Sequence, residues 1–242
     1  MSEEKNHPDK KKELFKQDVA SMEICPATFK DFRSGASWRI FRIMAEFIEG
    51  FEFLADLKRE VTFFGSARVD SKHKYYKEAR ELGKLLGRDG FTIITGGGPG
   101  IMEAGNRGAT EVGAVSVGIN IQLPMEQRIN RYVRKAHAFY YFFTRKVMLS
   151  ISAQAYVYFP GGFGTLDELM EILTLVQTGK MCRMPIILVG KDYWNGYFDW
   201  IREALLSEEY ISVKDLDLVT IVDTAAEAYE IIKETEERGL FE

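Results

Sequence analysis

Hydrophobic and polar positions follow two alternating patterns along most of this chain. Short, mainly apolar runs that end at a glycine occur at residues 61–64, 91–95 and 185–189. Between such runs, apolar residues recur every three or four positions. The short runs are typical of buried strands, and the longer recurrence is typical of amphipathic helices. Strands and helices that alternate in this way predict a parallel sheet covered by helices on both faces.

The complete pattern predicts the α/β fold class, with a doubly wound, mainly parallel sheet and an N-terminal helical extension. Predicted strands are residues 61–64, 91–95, 114–120, 138–142, 155–159, 185–189 and 218–222. Predicted helices are residues 37–58, 101–111, 75–88, 144–152, 165–178, 195–206 and 225–238. We expect residues 1–35 to form a flexible tail and lead-in, and residues 36–242 to form one Rossmann-like domain.

The first predicted helix carries an apolar stripe. Phe41, Met44, Ile48, Phe51 and Leu54 recur at steps of three and four residues. A stripe of this kind predicts that the helix packs either against the core of the protein or against another subunit.

Composition and charge exclude several classes of protein. The chain has 242 residues and a formal net charge of −4, so it lacks the broad positive field of sequence-independent nucleic-acid binding. No apolar run approaches the roughly 18 residues that a membrane span needs. Residues 1–12 contain no apolar segment of a signal peptide, so we expect a cytoplasmic protein. Cys25 and Cys182 lie far apart and show no metal-ligand spacing, which predicts no metal site.

Two glycine-rich turns follow predicted strands. Residues 96–100 are Gly-Gly-Gly-Pro-Gly, and residues 160–165 are Pro-Gly-Gly-Phe-Gly-Thr. Glycines let backbone amides approach an anion closely, and the helix after each turn adds partial positive charge. Ile101 occupies the place of the third glycine of a dinucleotide fingerprint, which is therefore absent. The turns predict one nucleotide held from two sides; the alternative is a pair of tight turns without a ligand.

Four side chains in or near the second turn are candidates for chemistry. Thr165 and Glu168 fit a capping box, in which Thr165 caps the helix and Glu168 reaches back to the cap amide. Glu168 would also lie beside a bound sugar, where a carboxylate stabilises positive charge at C1′. Arg145 offers a planar set of hydrogen-bond donors, and Lys146 follows it. For this Arg-Lys pair, plain exposure to solvent is the alternative interpretation.

Four motifs together make the sequence familiar. They are Phe-Gly-Ser-Ala-Arg at 64–68, Gly-Gly-Gly-Pro-Gly-Ile-Met-Glu-Ala at 96–104, Thr-Arg-Lys-Val-Met at 144–148 and Pro-Gly-Gly-Phe-Gly-Thr-Leu-Asp-Glu at 160–168. The motifs resemble those of the LOG family, the cytokinin riboside 5′-monophosphate phosphoribohydrolases once labelled "possible lysine decarboxylase". The last motif matches the family pattern PGGxGTxxE at every fixed position. The helical segment at 38–57 resembles the longer subtype of the family.

The resemblance implies a modified Rossmann fold and an N-glycosidic hydrolase. Such an enzyme would split AMP or an N6-modified AMP into the free base and ribose 5-phosphate, as an AMP nucleosidase does. Arg145 and Glu168 would be the catalytic pair. The 5′-phosphate would bind to Gly161, Gly162, Gly164 and Thr165, and the ribose and base would lie near Ser66, Gly98, Glu103 and Lys146.

The same resemblance implies a small-molecule nucleotide substrate, no cofactor, and neither nucleic acid nor a membrane as partner. It also implies a homo-oligomer, a dimer or a hexamer, with the site at a subunit interface. Two alternatives stay open from the residues alone. One is a non-hydrolytic protein of the same fold that binds a nucleotide or the molybdenum cofactor, and the other is a nucleotide phosphatase or transferase.

Overall fold

The computed structural model describes residues 35–122 and 129–237. The predicted tail lies outside these ranges except for Gly35. The helices are α1 (Ala36–Ala55), α2 (Lys74–Arg88), α3 (Ile101–Glu111), α4 (Phe142–Ile151), α5 (Phe163–Gln177), α6 (Lys191–Ile201), α7 (Val213–Leu216) and α8 (Ala225–Ile232). A π-helical turn, Arg202–Leu206, follows α6. The strands are β1 (Glu60–Phe64), β2 (Thr92–Thr95), β3 (Ser116–Ile121), β4 (Lys135–Phe139), β5 (Ala155–Tyr158), β6 (Ile186–Val189) and β7 (Thr220–Val222).

The strands of the described residues form one seven-stranded sheet in the order β4-β3-β2-β1-β5-β6-β7. Every neighbouring pair is parallel. The chain builds one half of the sheet from β1 through β4, and then returns to the other side of β1 with β5. This reversal makes the gap between β1 and β5 the switch point of a doubly wound sheet. The predicted fold class is therefore confirmed.

Helices cover both faces of the sheet. Val61 and Phe63 of β1 contribute to a core that contains residues of α2, α3 and α8. Phe64 contributes to a second core, together with residues of α1, α4, α5 and α6. Because neighbouring residues of a strand point to opposite faces, the two cores lie on opposite sides of the sheet. Burial on both faces explains why the strands of this sequence are nearly continuous apolar runs.

The edge strand β4 differs from its prediction. It spans Lys135–Phe139, whereas the pattern predicted a strand at 138–142. In an edge strand the side chains need not all be buried, and those of β4 alternate between partly buried and exposed up to Phe139. The strand therefore lacks the continuous apolar run that marks the central strands. The aromatic residues that suggested a later strand instead lead into α4, which begins at Phe142.

The last third of the chain also departs from the predicted bounds. Helix α6 begins at Lys191 and not at residue 195, because Gly190 at its N-cap adopts a left-handed backbone conformation with φ of 108°. Helix α7 has four residues, too few for a periodic apolar signal, and was not predicted. Helix α8 ends at Ile232, six residues before its predicted end at 238, and residue 238 itself lies outside the described ranges.

Contacts between Cα atoms divide the chain into two units, residues 1–42 and residues 43–242. The whole sheet and every side chain of the candidate site belong to the second unit. The expected domain boundary after residue 35 stays a prediction.

None of the helices in residues 35–122 and 129–237 is long and apolar enough to cross a membrane.

Helix α1 buries only part of the predicted apolar stripe. In the second unit, Met44 and Ile48 of the stripe are 51% and 57% exposed. Leu54 of the stripe is 1% exposed and packs inward, together with Glu46 and Gly50. The core-facing interpretation is therefore wrong for Met44 and Ile48. Packing of this stripe against another subunit stays a prediction.

Candidate functional site

Three turns at the carboxyl ends of β1, β2 and β5 meet at the switch point. The Ser66 amide, directly after β1, donates a hydrogen bond to the carbonyl of Pro160, after β5, at 3.0 Å. The Ser66 carbonyl accepts a hydrogen bond from the Ile101 amide, at the start of α3, also at 3.0 Å. Backbone hydrogen bonds therefore join the β1 turn to both glycine-rich turns. Ligands of open α/β sheets bind at this place.

The N-terminus of α5 begins earlier than the capping box predicted. Gly162, and not Thr165, is the N-cap residue, and no side chain caps it. Thr165 already lies inside the helix, where its amide donates to the Gly162 carbonyl at 3.0 Å. The capping-box interpretation of Thr165 and Glu168 is therefore wrong. Gly162, Phe163 and Gly164 are exposed, so the first turn of α5 presents its unpaired amides at the surface.

Packing requires glycine at one position of this turn but not at the other two. A Cβ atom at Gly161 would overlap the Thr165 hydroxyl, so the close approach of turn and helix requires glycine there. A Cβ atom at Gly162 or Gly164 would meet nothing within 4 Å, and neither residue has a positive φ. Packing within the described chain therefore does not require glycine at 162 and 164. Their small size keeps open space in front of the helix N-terminus, where an anion binds favourably.

Glu168 lies one turn further along α5 and is 7% exposed. Its Oε2 atom has no hydrogen-bond partner among the described residues, which is unusual for a buried carboxylate oxygen. Burial raises the pKa of the Glu168 carboxyl to about 7, against the opposing effect of the Arg145 and Lys146 cations. A buried acid with a raised pKa and an unused oxygen is typical of a functional site.

Arg145 of α4 is the cation nearest to Glu168. Its Nη1 atom lies 4.0 Å from Glu168 Oε1, which is close enough for charge interaction but too long for a hydrogen bond. Its Nε atom donates to the carbonyl of Ile119 in β3 at 2.8 Å. Burial lowers the pKa of the Arg145 guanidinium, and the Glu168 carboxylate opposes that shift. A Cβ atom at Gly96 would overlap this guanidinium, so the first glycine of the β2 turn makes room for Arg145.

Lys146 is engaged by two carboxylates of α5. Its Nζ atom lies 2.8 Å from Asp167 Oδ2 and 3.0 Å from Glu171 Oε2. Burial lowers the pKa of Lys146, but the hydrogen bonds to these carboxylates outweigh it and the net shift is upward. Lys146 thus joins α4 to α5 at two positions, one before and one after Glu168. Its predicted contact with the ribose or base stays a prediction.

The β2 turn rests on a buried polar network that the sequence analysis missed. The Gly97 amide donates to the Thr95 hydroxyl at 2.9 Å, so this amide is not available to an anion. The side-chain amide of Asn130 donates to the carbonyls of Gly97 and Gly98 and to Asn106 Oδ1, at 3.0 to 3.1 Å for the carbonyls and 2.9 Å for Asn106. The network holds the turn rigidly. Its isolated asparagines carry no local motif that would have marked them.

Ser66 and Glu103, two further predicted site residues, have hydrogen-bond partners in different parts of the fold. The Ser66 hydroxyl accepts a hydrogen bond from the Arg68 amide at 3.1 Å, which orders the turn after β1. The Glu103 carboxylate accepts a hydrogen bond from the Tyr76 hydroxyl at 2.9 Å. Tyr76 belongs to α2, on the sheet face opposite α4 and α5. The geometry thus groups Ser66 with the glycine turns, whereas Glu103 is held toward α2. Their roles in binding stay predictions.

The described residues contain no group of three His, Cys, Asp or Glu side chains that could hold a metal ion. The fold and the site define the class of protein: a Rossmann-type α/β protein with a buried glutamate and a partly buried arginine beside an open helix N-terminus.

A family model described as "Possible lysine decarboxylase" matches residues 102–232, which is more than half of the chain. The chain belongs to this family, the LOG family, as its motifs predicted. A rice (Oryza sativa subsp. japonica) protein named cytokinin riboside 5′-monophosphate phosphoribohydrolase LOG is 30% identical over 183 residues, 74% of this chain and 73% of that protein. An Arabidopsis thaliana protein of the same enzyme name is 28% identical over 182 residues, 74% of this chain and 82% of that protein.

Solved structures support the same fold. The molybdenum cofactor binding protein of Rippkaea orientalis superposes with a TM-score of 0.52 and 25% identity, over 72% of this chain and 93% of that protein. The molybdenum cofactor carrier protein of Chlamydomonas reinhardtii superposes with a TM-score of 0.54 over 73% of this chain and 97% of that protein. At 23% identity, the latter similarity bears on the fold alone.

Proposed function

We propose that this protein is a nucleoside 5′-monophosphate phosphoribohydrolase. It hydrolyses the N-glycosidic bond of AMP or an N6-modified AMP and releases the free base and ribose 5-phosphate. The observation that carries the proposal is the buried Glu168, whose free Oε2 atom lies one helical turn from the open N-terminus of α5. The names of the rice and Arabidopsis relatives support the same activity.

The phosphate anchors the substrate in this proposal. The first turn of α5, which is exposed from Gly162 to Gly164, offers backbone amides and the positive end of the helix dipole to a dianion. Gly161 lets the chain approach Thr165, and the small residues Gly162 and Gly164 leave the space in which the phosphate binds. Contacts far from the reacting bond supply binding energy that positions the ribose.

Chemistry takes place at C1′ of the ribose. The C1′–N9 bond breaks, its electron pair goes to the base, and the base takes up a proton. The ionised carboxylate of Glu168 stabilises the positive charge that develops on the sugar ring. A water oxygen then bonds to C1′ and loses a proton. Arg145, 4.0 Å from Glu168, favours the ionised form of this carboxylate against the effect of burial.

We also propose that the protein is a homo-oligomer, a dimer or a hexamer, with the site near the contact between subunits. Phe142 and Phe143, at the start of the helix that carries Arg145, are 57% and 48% exposed. Met44 and Ile48 of α1 are exposed as well. Exposed apolar groups of this size are typical of interaction sites. Light scattering of the purified protein measures the oligomer directly.

A panel of nucleosides and their 5′-monophosphates tests the proposed activity. AMP should release adenine and ribose 5-phosphate, and chromatography of the products identifies both. Adenosine lacks the anchoring phosphate, so its kcat/KM should be lower by about two orders of magnitude or more. Equal kcat/KM for AMP and adenosine would reject the phosphate anchor. Release of inorganic phosphate without free base would instead identify a phosphatase.

A second candidate function is non-hydrolytic binding of a nucleotide or of the molybdenum cofactor. The 25% identity with the molybdenum cofactor binding protein of Rippkaea orientalis favours this candidate. The same base-release assay separates the two functions, because a carrier binds its ligand without turnover. Molybdenum that copurifies with the protein, together with no base release from any monophosphate, would establish the second candidate.

A further inference from the structure

A second buried glutamate lies outside the proposed catalytic pair. Glu46 of α1 is 8% exposed, and both of its carboxylate oxygens are used. Oε1 accepts a hydrogen bond from the Tyr140 amide at 2.8 Å. Oε2 accepts one from the Tyr141 amide at 3.3 Å and one from the Thr144 hydroxyl at 2.6 Å. All three donors lie at or just before the N-terminus of α4.

Helix α4 has no cap of its own. Its N-cap residue is Tyr141, and no side-chain hydrogen bond from that residue satisfies the first turn. Glu46, from another helix, accepts hydrogen bonds from the two amides just before α4 and from the Thr144 hydroxyl in its first turn, and its carboxylate lies at the positive end of the α4 dipole. A carboxylate that accepts several charge-assisted hydrogen bonds holds its partners more firmly than a neutral acceptor does. The start of α4 is therefore held by a side chain of α1.

A second contact on the same face of α1 strengthens this attachment. Gly50 follows Glu46 by four residues and so lies on the same side of the helix. A Cβ atom at Gly50 would lie 2.7 Å from the sulfur atom of Met148, so the absence of a side chain lets α1 approach α4 closely. Glu46 and Gly50 thus contact α4 on either side of Arg145, at Thr144 and at Met148.

We propose that Glu46 is a positioning residue that sets the place of the Arg145 guanidinium relative to Glu168. Arg145 directly follows Thr144, and its amide donates to the Tyr141 carbonyl at 3.3 Å, so it belongs to the helical turn that Glu46 holds. Its guanidinium must lie between Glu168 and the carbonyl of Ile119, which leaves little freedom for a shift of α4. This inference rests on the proposed function of the Arg145–Glu168 pair. The inference assigns to α1 a role in the site that it performs through α4.

Kinetics of Glu46→Gln give the first test. The change keeps the shape of the side chain but removes its charge and one acceptor oxygen. We expect kcat for AMP to fall about tenfold while KM changes by less than about twofold, because the phosphate turn of α5 is untouched. In an Arg145→Lys background the same change should have no further effect, since both act through one guanidinium. Glu49→Gln, one turn along α1 at a 62% exposed side chain, is the matched control and should leave kcat unchanged.

The effects of Glu46→Gln on kcat, with and without Arg145→Lys, decide whether Glu46 positions Arg145 or only stabilises the fold. The inference would be overturned if folded Glu46→Gln had the wild-type kcat. It would also be overturned if Glu46→Gln lowered kcat by the same factor in the wild type and in Arg145→Lys. If Glu46→Gln does not fold, Thr144→Val replaces it, because it removes the hydroxyl that donates to Glu46 Oε2 at 2.6 Å and that also lies 2.8 Å from the Tyr141 carbonyl. We expect a smaller loss of kcat from Thr144→Val, with the same dependence on Arg145.

A measurement without turnover keeps the inference testable if the proposed function fails. In the 15N-labelled protein, the Arg145 Nε–H group that donates to Ile119 gives a resonance, which Arg145→Lys assigns by deleting it. Glu46→Gln should shift this resonance and speed its exchange with solvent, and Glu49→Gln should do neither. An unchanged resonance in Glu46→Gln would overturn the positioning role even if no base is released by the wild type.

Discussion

Two glutamates of this protein are buried to the same degree but have opposite surroundings. Glu46 and Glu168 are 8% and 7% exposed, and each lies beside the helix that carries Arg145. Glu46 accepts three hydrogen bonds from one helix end. Glu168 has one oxygen without a partner and the other 4.0 Å from a cation. The two carboxylates therefore differ in their hydrogen-bond partners and not in their burial.

The difference between them lies in how the cost of burial is offset. A buried carboxylate is stable when hydrogen bonds replace its lost water, as they do at Glu46. At Glu168 they do not, and the raised pKa of about 7 expresses the remaining cost. A buried carboxylate oxygen without a partner can interact with charge that develops on a ligand, as we propose for Glu168. The comparison predicts opposite responses of the two sites to the same Glu→Gln change.

The largest expected effect is on turnover at Glu168. Glu168→Gln should lower kcat by about three orders of magnitude or more, since it removes the charge that stabilises the sugar cation. Binding of AMP, measured by calorimetry, should be largely retained. Asp167→Asn is the control. The Asp167 side chain is 59% exposed, and among the described residues its ion-pair partner is Lys146. Turnover of Glu168→Gln at the wild-type rate would reject the catalytic assignment.

The second effect is on stability and has a definite pH dependence. The pKa of Glu168 is raised from 4.5 to about 7, so its protonated form favours the folded state. That contribution is fully present below pH 4.5 and is lost as the pH rises through 7. Glu168→Gln resembles the protonated form, so at pH 8 it should exceed the wild type in free energy of unfolding by up to about 3 kcal/mol. Urea denaturation at pH 5 and pH 8 measures the difference.

Glu60 provides an internal check on this pH effect. Burial also raises the pKa of Glu60 to about 7, at the opposite end of β1 from the site. Its contribution to the pH dependence is common to the wild type and Glu168→Gln, so the difference between them isolates Glu168. A variant that is less stable than the wild type at pH 8 would show that Glu168 has structural partners like those of Glu46.

The same substitution at Glu46 should have the opposite sign. Glu46→Gln places an amide group against the backbone donors just before α4 and leaves a buried donor without an acceptor. The free energy of unfolding should fall by about 2 kcal/mol at pH 8. Paired denaturation curves of Glu46→Gln and Glu168→Gln in one buffer make the contrast direct. Equal changes in both variants would remove the distinction drawn between the two carboxylates.

The smallest expected effect concerns the phosphate turn. Gly164→Ala adds a methyl group where nothing lies within 4 Å, so the melting temperature should not fall. KM for AMP should rise about tenfold, because the methyl group occupies space meant for the phosphate. Gly196→Ala in α6, where a Cβ atom also meets nothing within 4 Å, is the matched control and should leave KM unchanged. Unaltered KM in Gly164→Ala would place the phosphate elsewhere.

Local sequence predicted much of this molecule. The mainly apolar runs marked the central strands within one or two residues, because strands buried on both faces need apolar side chains throughout. The second glycine turn and the acid of α5 were recognisable because they lie within nine consecutive residues, 160–168. These elements sufficed for the fold class and the family.

Contacts between distant residues were decided only by the tertiary structure. Glu46 binds donors that are 94 to 98 residues away, so no local pattern could identify it. The partners of Lys146 lie more than 20 residues further along the chain. The stripe of α1 predicted burial for Met44 and Ile48 as well as for Leu54, but only Leu54 of these three is buried in the described structure. Periodicity shows that a helix has apolar faces, but the neighbouring elements decide which face is covered.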